Sequence, residues 1–371
     1  MNTEKFDVVI LGGGNAGIGV TGPVRRAGMS VAMIESHDLG GTCPNRGCTP
    51  KKVLVAAGHA LHEIERAAIH HISVGKPKLD WSALIDREKD LIKDIPANLA
   101  RSMARRDVEV IKGHAAFAGP NAIRVGDRRL EAKHIVIATG SRPRRLPIPG
   151  AEHMITSDEM LSQRRLPGSV IFVGGGVISL EFGHVYARAG ADVTILEALP
   201  QLLPAMDVDA VARIQTESER IGIRVKTGVS VKRIEPANNR LRVVFTHQGT
   251  EHMAEADRIV NGAGRVANIE YPGSSGGKSR ARQWPCGGGL SSAFNLEPCG
   301  ICLRRRAADF SAALADRDVR GRHCRPQHRR GAKIQPGLRK YGNLGLHRAR
   351  ARRGRPDRGR RKPKGARDQG P

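Results

Sequence analysis

The sequence predicts an α/β chain of two Rossmann-like units followed by an irregular basic tail. Three observations predict it. A strand–glycine–helix–strand pattern occupies residues 6–35, a second occupies 170–197, and hydrophobic periodicity fades after Glu270. Two such units about 160 residues apart form a repeat that a single-domain enzyme does not need. The division expected is a first domain at 1–145, a second at 146–270, and a tail at 271–371 rich in Arg, Gly and Pro.

In the first unit the apolar run Phe6–Leu11 ends at Gly12-Gly13-Gly14, a helix is due, and Ser30–Glu35 gives the second strand. Gly19, Gly22 and Pro23 make that helix poor by propensity, and Pro23 is expected to kink it or end it early. Residues 41–66 read as a loop entering a helix, and 80–107 as mainly helical. Val108–Ile111, Ala122–Val125 and His134–Ala138 read as strands. Pro143, Pro147 and Pro149 then stiffen a connection suited to an inter-domain passage. Val170–Val173 opens the second unit, which runs to Glu197. Beyond Glu270, Arg304-Arg305-Arg306, Arg352-Arg353 and Arg360-Arg361 stand among Ala, Gly and Pro with no sustained rhythm.

Charge follows the same division. Of 62 Lys+Arg and 36 Asp+Glu, residues 271–371 hold 26 and 6, which leaves 36 and 30 in residues 1–270. The net charge of +26 therefore belongs mostly to the tail, and the first part has the balance of an ordinary soluble enzyme. Met1–Lys5 is short and polar, unlike a secretory signal, and no run of 18 apolar residues suggests a membrane span; a cytoplasmic protein is expected. In that reducing setting a close cysteine pair points to catalysis rather than to a structural staple.

Gly12-x-Gly14-x-x-Gly17 lies after a strand and before a helix, where glycines let backbone N–H groups approach a pyrophosphate at the helix N-terminus. Glu35, at the end of the next strand, is placed to accept from a ribose. The second fingerprint, Gly174-x-Gly176-x-x-Ser179, keeps a small third residue, and Glu197 ends its second strand. A carboxylate there repels a 2′-phosphate, so NAD(H) is expected over NADP(H).

The segment Gly40-Gly41-Thr42-Cys43-Pro44-Asn45-Arg46-Gly47-Cys48-Thr49-Pro50-Lys51-Lys52 carries the chemistry. Two thiols four residues apart at a helix start can close a reducible disulfide, and the positive helix end lowers a thiolate pKa. This segment closely resembles the redox-active stretch of the pyridine nucleotide-disulfide oxidoreductases, the family of glutathione reductase, dihydrolipoamide dehydrogenase and mercuric reductase. The resemblance implies FAD at the first fingerprint with Gly41 and Thr42 beside it, and a nicotinamide cofactor at the second. It implies Cys48 against the flavin as the charge-transfer thiolate, Cys43 as the exchanging thiol, and Lys52 beside flavin N5 with Glu181 as its partner. Ala115, in Gly113-His114-Ala115, resembles a residue whose backbone meets the flavin adenine, and Thr139-Gly140 the turn near the same cofactor. Val231 and Gly264 resemble positions lining the nicotinamide site.

Electrons are then expected to pass from NAD(P)H through flavin to Cys43–Cys48 and on to a disulfide, dithiol or metal-ion substrate. Thr49-Pro50-Lys51-Lys52 leans toward glutathione reductase and Glu197 toward dihydrolipoamide dehydrogenase, so the substrate stays open. The resemblance covers about residues 5–270. Family members continue through a Gly-Asp turn into a homodimer-interface domain with a His–Glu acid/base pair. Neither motif is found here; Asp316, Asp318, His323 and His347 stand in no matching context. The expectation is a tail read out of frame or otherwise replacing that domain, and poor disulfide turnover. The alternative reading is a largely inactive family member whose tail binds polyanions without specificity. Cys299-x-x-Cys302 with Cys286 and Cys324 is too irregularly spaced to argue for zinc, so no metal site is expected; the tail also lacks the interleaved aromatics of specific nucleic-acid recognition.

Overall fold

A computed structural model describes residues 3–269 and 302–304. Strand β1 (Thr3–Leu11) leads into helix α1 (Asn15–Arg26) and β2 (Val31–Glu35). Pro23 lies inside α1, which continues three residues past it to Arg26, so the proline neither breaks the helix nor stops it at once. Helices α2 (Thr42–Arg46), α3 (Cys48–Arg66), α4 (Trp81–Ile92) and α5 (Ile95–Arg105) follow. Next come β3 (Val108–Lys112), β4 (Ala115–Gly119), β5 (Ala122–Val125) and β6 (Arg128–Ile137).

These strands form one sheet in the order β3-β2-β1-β6-β5-β4, with β1, β2, β3 and β6 mutually parallel along the path and β4–β5–β6 antiparallel. Alternate residues of β1 enter different cores, Val8 and Ile10 on one face and Val9 and Leu11 on the other. A parallel strand covered on both sides must be apolar where it is covered, which is why Val8–Leu11 reads as an unbroken hydrophobic run.

The chain leaves through β7 (Ser141–Pro143) and passes the short α6 (Ser157–Met160). A second sheet follows from β8 (Ser169–Val173), α7 (Val177–Arg188), β9 (Asp192–Leu196), α8 (Val208–Arg220) and β10 (Arg224–Lys226). A meander of β11 (Ser230–Ala237), β12 (Arg240–His247) and β13 (Thr250–Ala256) precedes β14 (Arg258–Asn261). The second sheet is parallel, in the order β10-β9-β8-β14, and the meander packs Ile234, Val243 and Phe245 against Ile171, Val173 and Leu196. The chain returns through β15 (Arg265–Ala267), antiparallel to β7, so the proline-rich passage is a two-way ribbon. A three-residue strand, β16 (Cys302–Arg304), pairs antiparallel with the end of β6, a regular element inside the stretch expected to be irregular. Cys286, Cys299, Cys324, Asp316, Asp318, His323 and His347 lie outside the described residues.

Helices α3 and α4 do not serve only the first sheet. Leu54, Trp81 and Ile85 share a core with Phe172, Phe182 and Tyr186 of the second unit. Trp81 stacks edge-on against Tyr186 with ring centres 4.9 Å apart, while its indole N–H donates to the Gln163 carbonyl at 2.8 Å. A polar network continues this contact outward. Arg188 on α7 donates to Glu217 on α8 at 3.3 Å, and Arg220 ties Glu217 to Glu65 of α3. Among the described residues no helix is long and apolar enough to cross a membrane.

Candidate functional site

The site is built where the redox segment meets the first glycine turn. Gly12 and Gly14 occupy the β1–α1 turn and Gly17 the first turn of α1, which starts one residue past Gly14 with no side-chain cap. Gly17 is required by close packing, because a Cβ there would stand 2.0 Å from the Gly12 carbonyl oxygen. Glu35, at the end of β2, accepts from the Gly13 amide at 2.7 Å and the His37 amide at 2.8 Å. The carboxylate expected to meet a ribose thus also braces the turn; each oxygen retains further acceptor capacity.

The redox segment is stitched to this turn by backbone. The Gly40 amide donates to the Gly13 carbonyl at 2.8 Å, and Gly14 and Gly40 form an isolated parallel bridge. Gly41, at φ +64° and ψ −146°, has a conformation open in practice only to glycine, and a Cβ there would lie 2.8 Å from Gly14 Cα. Thr42 starts α2 directly after it, and the Asn45 amide group donates to the Leu39 carbonyl at 2.9 Å, pinning α2 down. Gly47 separates α2 from α3, so Cys43 is the second residue of one helix and Cys48 the first of the next. Cys43 is half-buried and Cys48 exposed, both as free thiols.

The structure corrects two expectations about this segment. Lys51, not Lys52, meets Glu181: its ammonium is hydrogen-bonded to the Glu181 carboxylate. The reason is helical phase. Pro50, Leu54 and Gly58 are the buried stripe of α3, and Gly58 faces Val185 and Arg188 of α7. Lys51 flanks that stripe beside α7, whereas Lys52, one residue or about 100° further round, is exposed. Second, Cys48 is not acidified on balance. The hydrogen bond to Cys43 pushes its thiol pKa up, burial and the charge of Cys43 add to this, and Lys51 opposes it. In the reduced pair the neighbouring sulfur and burial therefore outweigh the lysine.

The second glycine turn repeats the first with one change. Ser179 is fully buried at the third position and donates to the Gly174 carbonyl at 2.5 Å, replacing a backbone close approach with a side-chain hydrogen bond. Gly176 caps α7. Glu197 accepts from the amides of Gly175 and Leu199, as Glu35 does from its own turn, but it is only 8% exposed. Val231 lies half-buried on β11, and Gly264 accepts from the Arg144 amide at 2.9 Å in the two-way ribbon. Thr139 donates its hydroxyl to the Asn268 carbonyl at 2.5 Å, and Gly140 accepts from the Asn268 amide, so this turn is closed by the returning chain. Ala115 begins β4, next to His114, which stands edge-on to His37 with ring centres 6.2 Å apart.

Asn45, Arg46 and Asp158 are site residues that the sequence reading missed. Arg46 pairs with Asp158 at 3.3 Å and so ties the redox helix to the connection between the sheets. A long-range ion pair leaves no mark in local spacing; the only signal was the position of Arg46 inside the cysteine loop. Among the described residues no group of three His, Cys, Asp or Glu side chains is arranged to hold a metal.

The family profile described as pyridine nucleotide-disulphide oxidoreductase matches residues 6–283, some way past the boundary near 270 drawn from periodicity. A dihydrolipoyl dehydrogenase of Acholeplasma laidlawii is 30% identical over 273 residues, covering 72% of this chain and 80% of that protein. One from Cupriavidus necator is 31% identical over 288 residues, covering 73% of this chain and 61% of its own. The solved Cu(II) complex of the HOCl-induced flavoprotein disulfide reductase RclA from Escherichia coli is similar with TM-score 0.62 and 29% identity, covering 72% of this chain and 58% of that one. The chain thus spans about three fifths of the length of most of these relatives.

Proposed function

The chain belongs to the pyridine nucleotide-disulphide oxidoreductase family, and on that premise we propose that it binds FAD at the first glycine turn and NAD(H) at the second. Electrons pass to the Cys43–Cys48 pair and on to a small disulfide, a dithiol partner in the reverse direction, or a metal ion. The observation that carries this reading is the backbone stitch between Gly13-Gly14 and Gly40-Gly41, which sets a two-thiol segment directly against a nucleotide-binding turn.

The residues fit such a cofactor. Gly14 and Gly41 bring two backbones so close together that a Cβ at position 41 would clash, and the α1 N-terminus carries no side-chain cap, as suits a pyrophosphate. Gly12, Gly14, Gly17, Glu35, Gly41, Thr42, Ala115, Thr139 and Gly140 would hold it. When bound, a flavin supplies two-electron exchange between a nicotinamide and a thiol pair. Gly174, Gly176, Ser179, Glu197, Val231 and Gly264 are assigned to the nicotinamide cofactor, with the Glu197 charge set against a 2′-phosphate. Lys51 holds positive charge beside Cys48, and Glu181 fixes its position. Cys43 is assigned to exchange with substrate, and Cys48 to face the flavin, on the likeness of the Gly40–Lys52 segment to the redox stretch of the family.

For a disulfide substrate, the Cys43 thiolate attacks one sulfur and expels the other as a thiolate, which takes a proton from solvent. Cys48 then closes the Cys43–Cys48 bond and releases the second thiol. For the metal-ion alternative, closing that bond gives up two electrons and two protons, enough to reduce two Cu(II) to Cu(I). The Cu(II) complex of the similar reductase RclA favours testing that ion. Purified full-length chain supplied with FAD should turn yellow and bleach anaerobically with NADH. Lipoamide, glutathione disulfide or Cu(II), added separately, should restore the colour in the case of the true acceptor. Cys43→Ser should bleach yet fail to pass electrons to a disulfide. A colourless protein, or a Cys43→Ser variant with unchanged disulfide reduction, overturns the assignment.

A second reading rests on the charge asymmetry: 26 Lys+Arg against 6 Asp+Glu in residues 271–371 suit a family member of little activity that retains polyanions. Colourless protein that binds heparin in a salt-sensitive way would favour it.

A further inference from the structure

We propose that His184 and Arg188 form a proton-operated clasp, which holds the C-terminal half of α3 against α7 and α8 and opens when His184 takes up a proton. One guanidinium donates to two imidazoles. Arg188 Nη1 donates to His184 Nδ1 at 3.3 Å, and its Nη2 donates to His62 Nδ1 on α3 at 3.4 Å. The same Nη2 reaches Glu217 on α8, and the Arg188 side chain is only 13% exposed.

These contacts fix where the protons lie. A guanidinium cannot accept a hydrogen bond, so each Nδ1 that faces it presents a lone pair, and both rings are neutral with their proton on Nε2. His184 Nε2 accordingly donates to Ser218 Oγ at 2.8 Å, and that hydroxyl donates onward to the Ile214 carbonyl at 2.7 Å. Ser218 is fully buried, so this relay of donors runs inside the protein.

A proton added at His184 Nδ1 destroys the arrangement. It removes an acceptor from Arg188 and sets two positive charges in contact where water screens them poorly. Relief requires Arg188 to withdraw, and its withdrawal frees His62, the α3 side of the contact. Burial, then the Arg188 charge, accordingly lower the His184 pKa from 6.5, with Glu217 opposing. The closed form therefore binds this proton less well than an open one. It is favoured above pH 6.5 and loses ground as pH falls below that value.

The charged neighbours set the direction of release. Glu217, its pKa held down to about 2 chiefly by hydrogen bonding to Arg220, stays ionised throughout. Glu65 Oε2 lies 3.7 Å from His62 Nδ1 and offers that ring a partner within α3 once Arg188 leaves. His71 and Lys76 line one cavity with Arg188 and Arg220 and add positive charge there. The contact bears on the redox pair because Cys48 is the first residue of α3.

Hydrogen–deuterium exchange on the full chain without flavin tests the clasp, so its failure is distinct from failure of the redox assignment. From about pH 7.5 to about pH 5.5, after correction for intrinsic exchange, amides of residues 58–66 should lose protection about threefold or more. Those of Val8–Leu11 should keep theirs. His184→Gln, which cannot gain the charge, should abolish the pH response, and Arg188→Met, which removes the opposing charge, should do the same. Either variant suffices if the other fails to fold. His59→Gln, at an exposed position of the same helix, should retain the response. Equal protection of residues 58–66 at both pH values in the wild-type chain overturns the proposal, as does an undiminished response in folded His184→Gln or Arg188→Met.

Discussion

Replacing Lys51 by methionine is the sharpest perturbation, because the structure gives Lys51 a partner that the family resemblance had implied for Lys52. The two charged side chains are 17% and 38% exposed, intermediate between a surface pair and a buried one. At an effective dielectric constant near 20 their attraction at contact is about 4 kcal/mol before desolvation and side-chain ordering are subtracted. Exposed pairs retain about 0.2–1 kcal/mol, whereas breaking buried ones costs about 3–5. A half-buried pair should show a coupling of about 1–2 kcal/mol in a double-mutant cycle of Lys51→Met and Glu181→Gln. For a folded region of this size that is a drop in melting temperature of about 2–8 °C for the single lysine variant. The same variant removes the cation that favours the Cys48 thiolate, so the pH profile of Cys48 alkylation, measured in a Cys43→Ser background, should move upward. Lys52→Met should do neither. Coupling carried by Lys52, or none with Lys51, would refute the helical-phase argument.

Gly41→Ala introduces both a forbidden backbone angle, costing about 1–3 kcal/mol, and a contact with Gly14; loss of FAD retention on gel filtration is the expected result. Glu197→Ala should raise the ratio of NADPH to NADH efficiency in flavin reduction, and an unchanged ratio would show that the carboxylate does not select the coenzyme. Hydrogen bonding to Arg220, with further help from its charge and that of Arg188, depresses the Glu217 pKa from the ordinary 4.5 to about 2. A depressed carboxylate pKa stabilises the fold above the unfolded value, and that stability is lost as pH falls from about 4.5 toward about 2. Melting temperatures across that window should therefore fall less steeply in Glu217→Gln. Burial and the Arg188 charge lower the His184 pKa below 6.5, so its contribution is likewise lost on acidification, and His184→Gln should flatten the curve below neutrality.

The parallel sheets were legible because the stretches buried on both faces, Val8–Leu11 and Val170–Val173, are apolar at every position. Their glycine turns announce themselves by the approach distances they permit. The meander was not legible: β11 and β13 have one wet face, and Lys232, Arg233 and Glu235 dilute the pattern. Its signal lay in the turns instead. Asn238 and the pair Gln248-Gly249 adopt positive φ between short alternating runs, as tight hairpins require. In the site, Cys43, Cys48 and the two fingerprints are local features and could be read. The choice between Lys51 and Lys52 depends on which face of α3 meets α7, and that is fixed by Gly58 against Val185, a contact far away in sequence. The Arg46–Asp158 pair belongs to the same class, since it arises only when distant segments close on one another.

The interior shared by Leu54, Trp81, Ile85, Phe172 and Tyr186 has a consequence for anyone wishing to re-engineer coenzyme choice. The second unit is not a cassette that can be exchanged at the two-way ribbon alone. A donor unit with a different residue in place of Tyr186 would leave the indole of Trp81 facing a misfit, and the helix that presents Cys48 would shift with it. Transplants should carry α3 and α4 along with the segment they graft, even though these helices precede it by about a hundred residues in the chain.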